Sequence, residues 1–284
     1  MREWLSGMRL GFELLYANGV LYVFAFAAGT LVGSFLNVVI YRWPRELSIV
    51  RPGSHCPACG RPIPWYWNVP LLSWVLLLGR CRWCRAPISA RYVLVEILGG
   101  AWAALCLWRF GPTLPGLAAF ALGAALLAGS VIDLQFRLLP DAITVGMIPL
   151  GIGAALLPPG WMPGWSVSGL EAGAGAALGG GVFLLVLLLF KFATGREGMG
   201  QGDVKLMAGL GAVLGYAAIP AVIFIASAAG IAAWILLALL KRADRDYPVP
   251  FGPFLSAGAL VVLLTRPWLE KHWIIIHWVS IIKG

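Results

Sequence analysis

The chain consists largely of apolar runs long enough to cross a lipid bilayer. A helix needs about 20 consecutive apolar residues to span the hydrocarbon core, and such runs recur from position 19 to position 265. Hydrophobic residues make up 60% of the 284 positions and charged residues 12%, whereas a soluble domain carries about 25% charged residues. The sequence therefore predicts a polytopic membrane protein of the all-α class and excludes a soluble globular domain.

The apolar runs predict about eight transmembrane helices. They lie near 19–41, 93–109, 114–132, 141–157, 173–193, 204–218, 220–240 and 251–265. We read the first run as a retained helix, because acidic residues precede it and no small-residue cleavage site follows it. The chain then divides into an N-terminal segment with the first span (1–41), a loop (42–92), a membrane-embedded core (93–265) and a C-terminal tail (266–284). The tryptophans of the tail suit an interfacial helix.

The basic residues indicate the orientation of the chain in the membrane. The net charge is +9, but Lys and Arg gather in a few loops, which is typical of membrane topology and argues against a nucleic-acid partner. Most of them follow the odd-numbered spans. The positive-inside rule therefore places the amino terminus outside and the 42–91 loop in the cytoplasm. Asp133, Asp141 and Asp203 then fall at the cytoplasmic ends of their spans.

Two Cys-x-x-Cys knuckles stand in this cytoplasmic loop. Cys56 and Cys59 form the first, and Cys81 and Cys84 form the second. Four thiolates presented this way bind Zn²⁺ tetrahedrally, as in a zinc ribbon, and leave no open position for catalysis. Two disulfides are the alternative, which a cytoplasmic location disfavours. The aromatic stretch 64–70 between the knuckles fits either the membrane surface or packing within the ribbon.

The aspartates at the membrane edge are the candidates for chemistry, because a carboxylate is costly at membrane depth. Asp133 follows the third span, and Asp203 follows a glycine-dense stretch whose glycines would make room for Asp133 or for an extended substrate. Two close carboxylates can share one proton, so that one activates water and the other protonates a carbonyl, as in aspartic proteases. We interpret Asp141 as a helix N-cap. Lys205 is either a cytoplasmic anchor or a charge that tunes the pair.

The ordered motifs resemble the type IV prepilin peptidases, which belong to the GxGD class of intramembrane aspartic proteases. The resemblance extends over nearly the whole chain, through GSFLNVVIYR at 33–42, SHCPAC at 54–59, NVP at 68–70, ISARY at 88–92, the stretch 133–141, GQGDVKL at 200–206 and FGP at 251–253. It implies that Asp133 and Asp203 are the catalytic pair, with Gly200 and Gly202 in the active-site loop. Trp67 departs from the family, which often has an acidic residue there.

The resemblance also implies the substrates and a second activity. The family removes the basic leader from type IV prepilins and pseudopilins at the cytoplasmic face of the bacterial inner membrane. Many members then methylate the new amino terminus with S-adenosylmethionine, although this sequence shows no glycine-rich nucleotide fingerprint. Candidates for substrate or cofactor contacts are Asn37, Arg42, Glu96 and Lys205. For the first three, interhelical hydrogen bonds and topogenic charge are the alternative.

Two functions from other classes compete with a peptidase. A proton-coupled transporter would use the intramembrane acids as a relay, and an inverted repeat would favour it, but this sequence has no clear repeat. A non-catalytic assembly factor of a pilus or secretion system would use the zinc loop for docking. That factor would tolerate the loss of both aspartates.

Overall fold

The computed structural model describes residues 19–158, 161, 167–196, 198–240 and 249–272, with side chains up to 266. Regular structure in this part of the chain is helical, apart from two isolated β-bridges. Most of the N-terminal segment and the tail from 273 onward, including most of the expected interfacial helix, lie outside the described residues. The chain divides into two compact units, one that ends at Ala124 and one that begins at Ala125.

Ten α-helices occupy the described residues. They are α1 (Val20–Arg42), α2 (Leu72–Leu76), α3 (Ala90–Phe110), α4 (Leu114–Phe136), α5 (Asp141–Thr144), α6 (Met147–Ala155), α7 (Gly169–Thr194), α8 (Gln201–Leu214), α9 (Ile219–Leu239) and α10 (Gly252–His272). Short 3₁₀ turns lie at Trp43–Arg45, Trp65–Trp67 and Tyr216–Ala218.

Five helices in the described part are long and apolar enough to cross a membrane. They are Val20–Arg45, Ala90–Phe110, Leu114–Phe136, Gly169–Thr194 and Tyr216–Leu239. The protein is therefore an all-helical, multi-pass membrane protein, as the composition predicts. The other three predicted spans correspond to shorter apolar stretches: α5 with α6 (Asp141–Ala155), α8 (Gln201–Leu214) and the first part of α10 (Gly252–Arg266). With 14 residues, α8 is about 21 Å long, against a hydrocarbon core of about 30 Å.

In the first unit, α1 packs along α3 through glycines. A Cβ placed on Gly29 would overlap the carbonyl oxygen of Gly99, and one on Gly33 would lie 2.7 Å from the Cα of Glu96. Small residues allow two helix backbones to approach this closely in lipid. Any larger side chain at these positions would push the two helices apart.

In the second unit, α8 is the central helix. All its residues from 209 to 214 are buried. It meets α7 where Gly175 faces Gly211, and it meets α6 where a Cβ on Gly151 would lie 2.7 Å from the Ala212 carbonyl. A helical stretch that is apolar on every side, as residues 206–214 are, is one surrounded by other helices. Gly209 and Gly211 weaken this segment as a predicted span. In the structure they are positions at which neighbouring helices contact α8.

Candidate active site and metal centre

Asp133 and Asp203 lie at neighbouring helix ends of the second unit. Asp133 is in the last turn of α4, and Asp203 is in the first turn of α8. The two residues are only 6% and 8% exposed. Both helix ends lie against Leu139: a Cβ on Gly202, which precedes Asp203, and one on Gly252, which contacts Asp133, would each lie 3.1 Å from its side chain. Two carboxylates so placed cannot both ionise at low cost.

Helix α10 begins directly against Asp133. A Cβ placed on Gly252, the first residue of α10, would lie 2.6 Å from Asp133 Oδ2. The amino-terminal end of a helix carries partial positive charge, which favours a carboxylate beside it. Sequence reasoning found residue 252 only as part of a family-like loop. Gly252 stands at the start of the predicted span 251–265. A glycine at this position was the sequence signal that could have indicated a close contact there.

The turn between α4 and α5 covers this site with Leu139. Helix α4 ends at Phe136, and Arg137 then takes a φ of +54° that turns the chain. A Cβ added at Gly202 or at Gly252 would lie 3.1 Å from a Leu139 side-chain atom. Gly202 therefore makes room for Leu139, whereas the glycine that makes room for Asp133 is Gly252.

Gly200 plays a different part from Gly202. It holds the N-cap position of α8 with a φ of −73°, and a Cβ there would lie 3.8 Å from Asp203 Oδ2. That distance is an ordinary van der Waals contact. Neither the backbone conformation nor crowding by Asp203 therefore requires glycine at this position.

Asp141 and Lys205 form an ion pair beside the two buried aspartates. Lys205 Nζ donates to Asp141 Oδ1 and Oδ2 at 2.7 and 2.9 Å, which joins α8 to the start of α5. The N-cap interpretation of Asp141 is wrong: Pro140 holds the cap position and makes no side-chain cap bond, and Asp141 is the first helical residue. Both charged side chains are exposed, so the pair contributes about 0–1 kcal/mol to stability.

The four predicted metal ligands converge in the first unit. Their Sγ atoms, those of Cys56, Cys59, Cys81 and Cys84, all lie within 4.8 Å of one another. The Cys56 and Cys84 sulfurs are 3.8 Å apart, and a tetrahedron with Zn–S bonds of about 2.3 Å separates its sulfurs by about 3.8 Å. A disulfide requires about 2.05 Å, and all four cysteines are free. The donor set fits a single thiophilic metal ion.

The ionisation of the thiols also fits a metal site. The backbone N–H groups of Cys84 and Trp83 lower the pKa of the Cys81 thiol to about 6. The Ala86 N–H acts in the same direction on Cys84, but desolvation and the neighbouring thiols outweigh it and raise the pKa of Cys84 to about 11. A metal ion between the sulfurs would favour the thiolate form of Cys84, because a metal binds the deprotonated thiol.

The two knuckles are copies of one backbone pattern, a repeat that sequence reasoning missed. Residues 54–63 and 79–88 carry matching backbone hydrogen bonds. The Cys56 N–H donates to the Arg61 carbonyl at 2.9 Å, as the Cys81 N–H does to the Ala86 carbonyl at 2.8 Å. The Ile63 N–H donates to the Ser54 carbonyl at 2.8 Å, as the Ile88 N–H does to the Gly79 carbonyl at 2.7 Å. Gly60 and Arg85 take the same left-handed conformation, with φ values of +71° and +60°. Both segments end in a Pro-Ile pair, at 62–63 and at 87–88. This shared pair is the sequence signal from which the repeat could have been predicted.

Asn37 and Arg42 make contacts inside the first unit. Asn37 Nδ2 donates to the Tyr92 carbonyl of α3 at 3.0 Å. Arg42 donates to the carbonyls of Ser48 and Pro52 at 2.9 and 2.7 Å, which folds the start of the loop back onto α1. The Asn37 bond is an interhelical hydrogen bond of the kind that the alternative interpretation predicts, whereas the Arg42 bonds stay within α1 and the loop that follows it. A role for either residue toward substrate or cofactor stays a prediction.

Glu96 links α3 to the cysteine loop and to α1. Its Oε2 accepts the backbone N–H of Leu71 at 2.8 Å, and its backbone meets α1 at Gly33. The residue is buried, so the Leu71 N–H satisfies part of a carboxylate that would otherwise be costly to bury. Its predicted substrate or cofactor contact likewise stays a prediction.

Two protein families match the chain. The bacterial peptidase A24 N-terminal domain matches residues 27–110, and the type IV leader peptidase family matches residues 120–235. The two matches together include the four cysteines and both buried aspartates.

Curated relatives match over most of their length, and each is named a prepilin leader peptidase/N-methyltransferase. The relative from Burkholderia pseudomallei (strain 1026b) is 41% identical over 273 residues, which cover 87% of this chain and 86% of the relative. The relative from Aeromonas hydrophila is 39% identical, and the match covers 90% of this chain and 95% of the relative. The relative from Pseudomonas aeruginosa is 36% identical, and the match covers 85% of this chain and 91% of the relative. No solved structure matches the chain.

Proposed function

The chain belongs to the type IV leader peptidase family of prepilin leader peptidase/N-methyltransferases, and we propose that Asp133 and Asp203 are its catalytic dyad. The observation that carries the proposal is the burial of these two carboxylates at two helix ends, the end of α4 and the start of α8, which both lie against Leu139. The family excludes the transporter and the non-catalytic assembly factor. Asp141 is outside the dyad because it pairs with Lys205.

The two aspartates take different roles. The start of α10 lies against Asp133, and the partial positive charge of a helix amino terminus favours a carboxylate beside it. We therefore assign Asp133 as the base and Asp203 as the carrier of the shared proton. Asp133 takes a proton from water as the water oxygen attacks the scissile carbonyl carbon, and Asp203 gives its proton to the carbonyl oxygen. When the C–N bond breaks, Asp133 protonates the leaving amine and Asp203 recovers its proton from the collapsing diol.

The substrates that we propose are type IV prepilins or pseudopilins, cleaved at the cytoplasmic face of the inner membrane. The names of the relatives support the substrate class. The distribution of Lys and Arg supports the orientation, with the amino terminus outside and the 42–91 loop inside. In this topology α5 with α6, α8 and α10 supply three further crossings, which brings the total to the predicted eight.

We also propose S-adenosylmethionine as the methyl donor for the second activity, on the names of the relatives. An open groove of about 450 Å³ lies in the second unit. The lining is Ser227, Gly230, Ile231, Trp234, Val249, Phe251 and Phe254. One serine hydroxyl among apolar side chains does not fit a ligand with amino, carboxylate and sulfonium groups. No methyl-transfer step is therefore assigned to residues of this groove.

The metal that we propose for the four-cysteine cluster is Zn²⁺. Cys56, Cys59, Cys81 and Cys84 would hold it, and it would supply a cross-link between the two knuckles rather than catalysis, since four thiolates leave no open position. The loop has little apolar core of its own, and such small metal-bound domains fold with their metal.

Substitution of Cys81 by serine is expected to remove most of the bound zinc, because a serine hydroxyl is a poor substitute for a thiolate ligand. The purified wild type should contain about one zinc per chain, and elemental analysis measures the difference. Limited proteolysis should cut the 54–88 loop of the variant faster. The matched control is Cys106→Ser, in a cysteine buried within α3, which should keep wild-type zinc. Full zinc content in Cys81→Ser would contradict the site.

The proposed function is tested by incubating the purified protein with a candidate prepilin, with and without S-adenosylmethionine. Mass spectrometry of the pilin should show loss of the leader in both reactions. The mature amino terminus should gain one methyl group only when the methyl donor is present. An unchanged prepilin in both reactions, from protein that retains its zinc, would contradict the proposal.

A further inference from the structure

Helix α2 in the cysteine loop carries its apolar side chains outward. Leu72, Val75 and Leu76 are 55%, 59% and 62% exposed. Their spacing of i, i+3 and i+4 places them on one face of the helix. A helix on a water-soluble loop would bury such a face.

The other face of α2 already has its partners. Ser73 is buried. Trp74 packs against Gly79, where an added Cβ would lie 2.9 Å from the indole ring, and its Nε1–H donates to the Ile88 carbonyl at 3.2 Å. The face of α2 that carries Ser73 and Trp74 therefore packs on the second knuckle. These contacts fix the orientation of the helix, so that Leu72, Val75 and Leu76 point outward.

Leu71 fixes the depth of α2 relative to the membrane helices of the same unit. Its N–H donates to Glu96 Oε2 at 2.8 Å, and Glu96 lies within α3, a candidate membrane span that begins at Ala90. Six residues of helix correspond to about 9 Å. The start of α2 is therefore alongside the end of a membrane-spanning helix rather than beyond it.

The sequence around α2 is strongly basic. No Asp or Glu occurs between Glu46 and Glu96, and this stretch contains six arginines. One zinc held by four thiolates would carry a charge of −2, which lowers the positive excess without cancelling it. Anionic lipid head groups on the cytoplasmic leaflet attract such basic segments.

The 3₁₀ turn Trp65–Trp67 adds aromatic side chains to the same loop. Trp65 is 82% exposed, and Tyr66, edge-on to it with ring centroids 5.8 Å apart, is also exposed. Trp and Tyr concentrate at membrane–water interfaces. This exposure favours the membrane surface over packing within the ribbon, the two alternatives that the sequence left open.

We propose that α2 and the Trp65–Trp67 turn dock on the anionic surface of the bilayer, with Leu72, Val75 and Leu76 inserted among the lipids. The bilayer is the favoured occupant because the bond between Leu71 and Glu96 holds this face beside a membrane helix end, where lipid is the adjacent medium. The charge of the loop complements that surface. A protein partner or a second copy of the chain is the alternative that the test separates.

Site-specific photo-crosslinking tests the proposal in the full-length protein. A benzophenone amino acid replaces Val75, and the protein is reconstituted in nanodiscs of phosphatidylcholine with phosphatidylglycerol. The control position is Ala58, which is exposed on the first knuckle and corresponds to Trp83 in the second, so an aromatic side chain fits there. Zinc content reports that both variants are folded.

Position 75 is expected to give lipid adducts several-fold more often than position 58, and more in anionic nanodiscs than in phosphatidylcholine alone. Adducts from position 75 only to a second copy of the chain or to an added prepilin would overturn the proposal. So would a lipid yield no higher than that of position 58. Equal yields in the two kinds of membrane would contradict its anionic selectivity.

Discussion

Asp133→Asn and Asp203→Asn are each expected to reduce prepilin cleavage by about 10³-fold or more, within the range that general acid–base groups contribute. An asparagine cannot take a proton from water as a carboxylate does, and it cannot donate the proton of a carboxylic acid. The loss should fall on kcat rather than on KM, because neither substitution removes a substrate-binding surface. Initial rates of leader release from a purified prepilin measure both constants.

Asp141→Asn is the matched control for these two variants. It makes the same chemical change on an aspartate whose partner is Lys205, at 2.7 and 2.9 Å, in an exposed ion pair of small energetic value. Cleavage should stay within about threefold of the wild type, since a loss of 0–1 kcal/mol in stability leaves the site assembled. If Asp141→Asn were as inactive as Asp133→Asn, the assignment of the pair would be wrong.

Gly252→Ala is expected to lower cleavage by about 10²-fold, the effect of a misplacement of about 1 Å at a catalytic group. The added Cβ would lie 2.6 Å from Asp133 Oδ2 and 3.1 Å from the Leu139 side chain, so the carboxylate must move away from the α10 amide. Gly252 is thus a positioning residue. Its loss should reduce kcat with little change in KM.

Two measurements separate positioning from a general loss of structure. Methylation of a synthetic peptide with the mature pilin amino terminus should be retained by Gly252→Ala, because methyl transfer requires no activated water. Gly230→Ala, at a glycine where an added Cβ would lie an ordinary 3.7 Å from the Phe251 ring, should keep both activities. Wild-type cleavage by Gly252→Ala would show that the close approach of α10 does not position Asp133.

The sequence predicted those features that depend on composition or on local spacing. The apolar runs that became α1, α3, α4, α7 and α9 are readable because the bilayer sets a minimum length. The two Cys-x-x-Cys pairs are readable because a metal dictates the number and type of its ligands. Asp133 and Asp203 stood out because carboxylates at membrane depth are rare.

Features set by packing between distant segments could not be predicted in the same way. Residues 206–214 are apolar because this part of α8 is surrounded by protein, and hydropathy does not separate contact with protein from contact with lipid. Asp141 fits the residue preferences of an N-cap, yet Pro140 takes that position and Lys205, 64 residues away, takes the carboxylate. The contact of Gly252 with Asp133 likewise arises only once α10 is placed.

One reaction tests the catalytic dyad most directly. Purified Asp133→Asn and Asp203→Asn proteins, each with zinc content verified, receive full-length prepilin, a synthetic peptide with the mature amino terminus and S-adenosylmethionine, and mass spectrometry follows both substrates. If the two aspartates are the catalytic dyad, each variant should methylate the peptide as fast as the wild type does, and the prepilin should keep its leader. Release of the leader at the wild-type rate by either variant would contradict it.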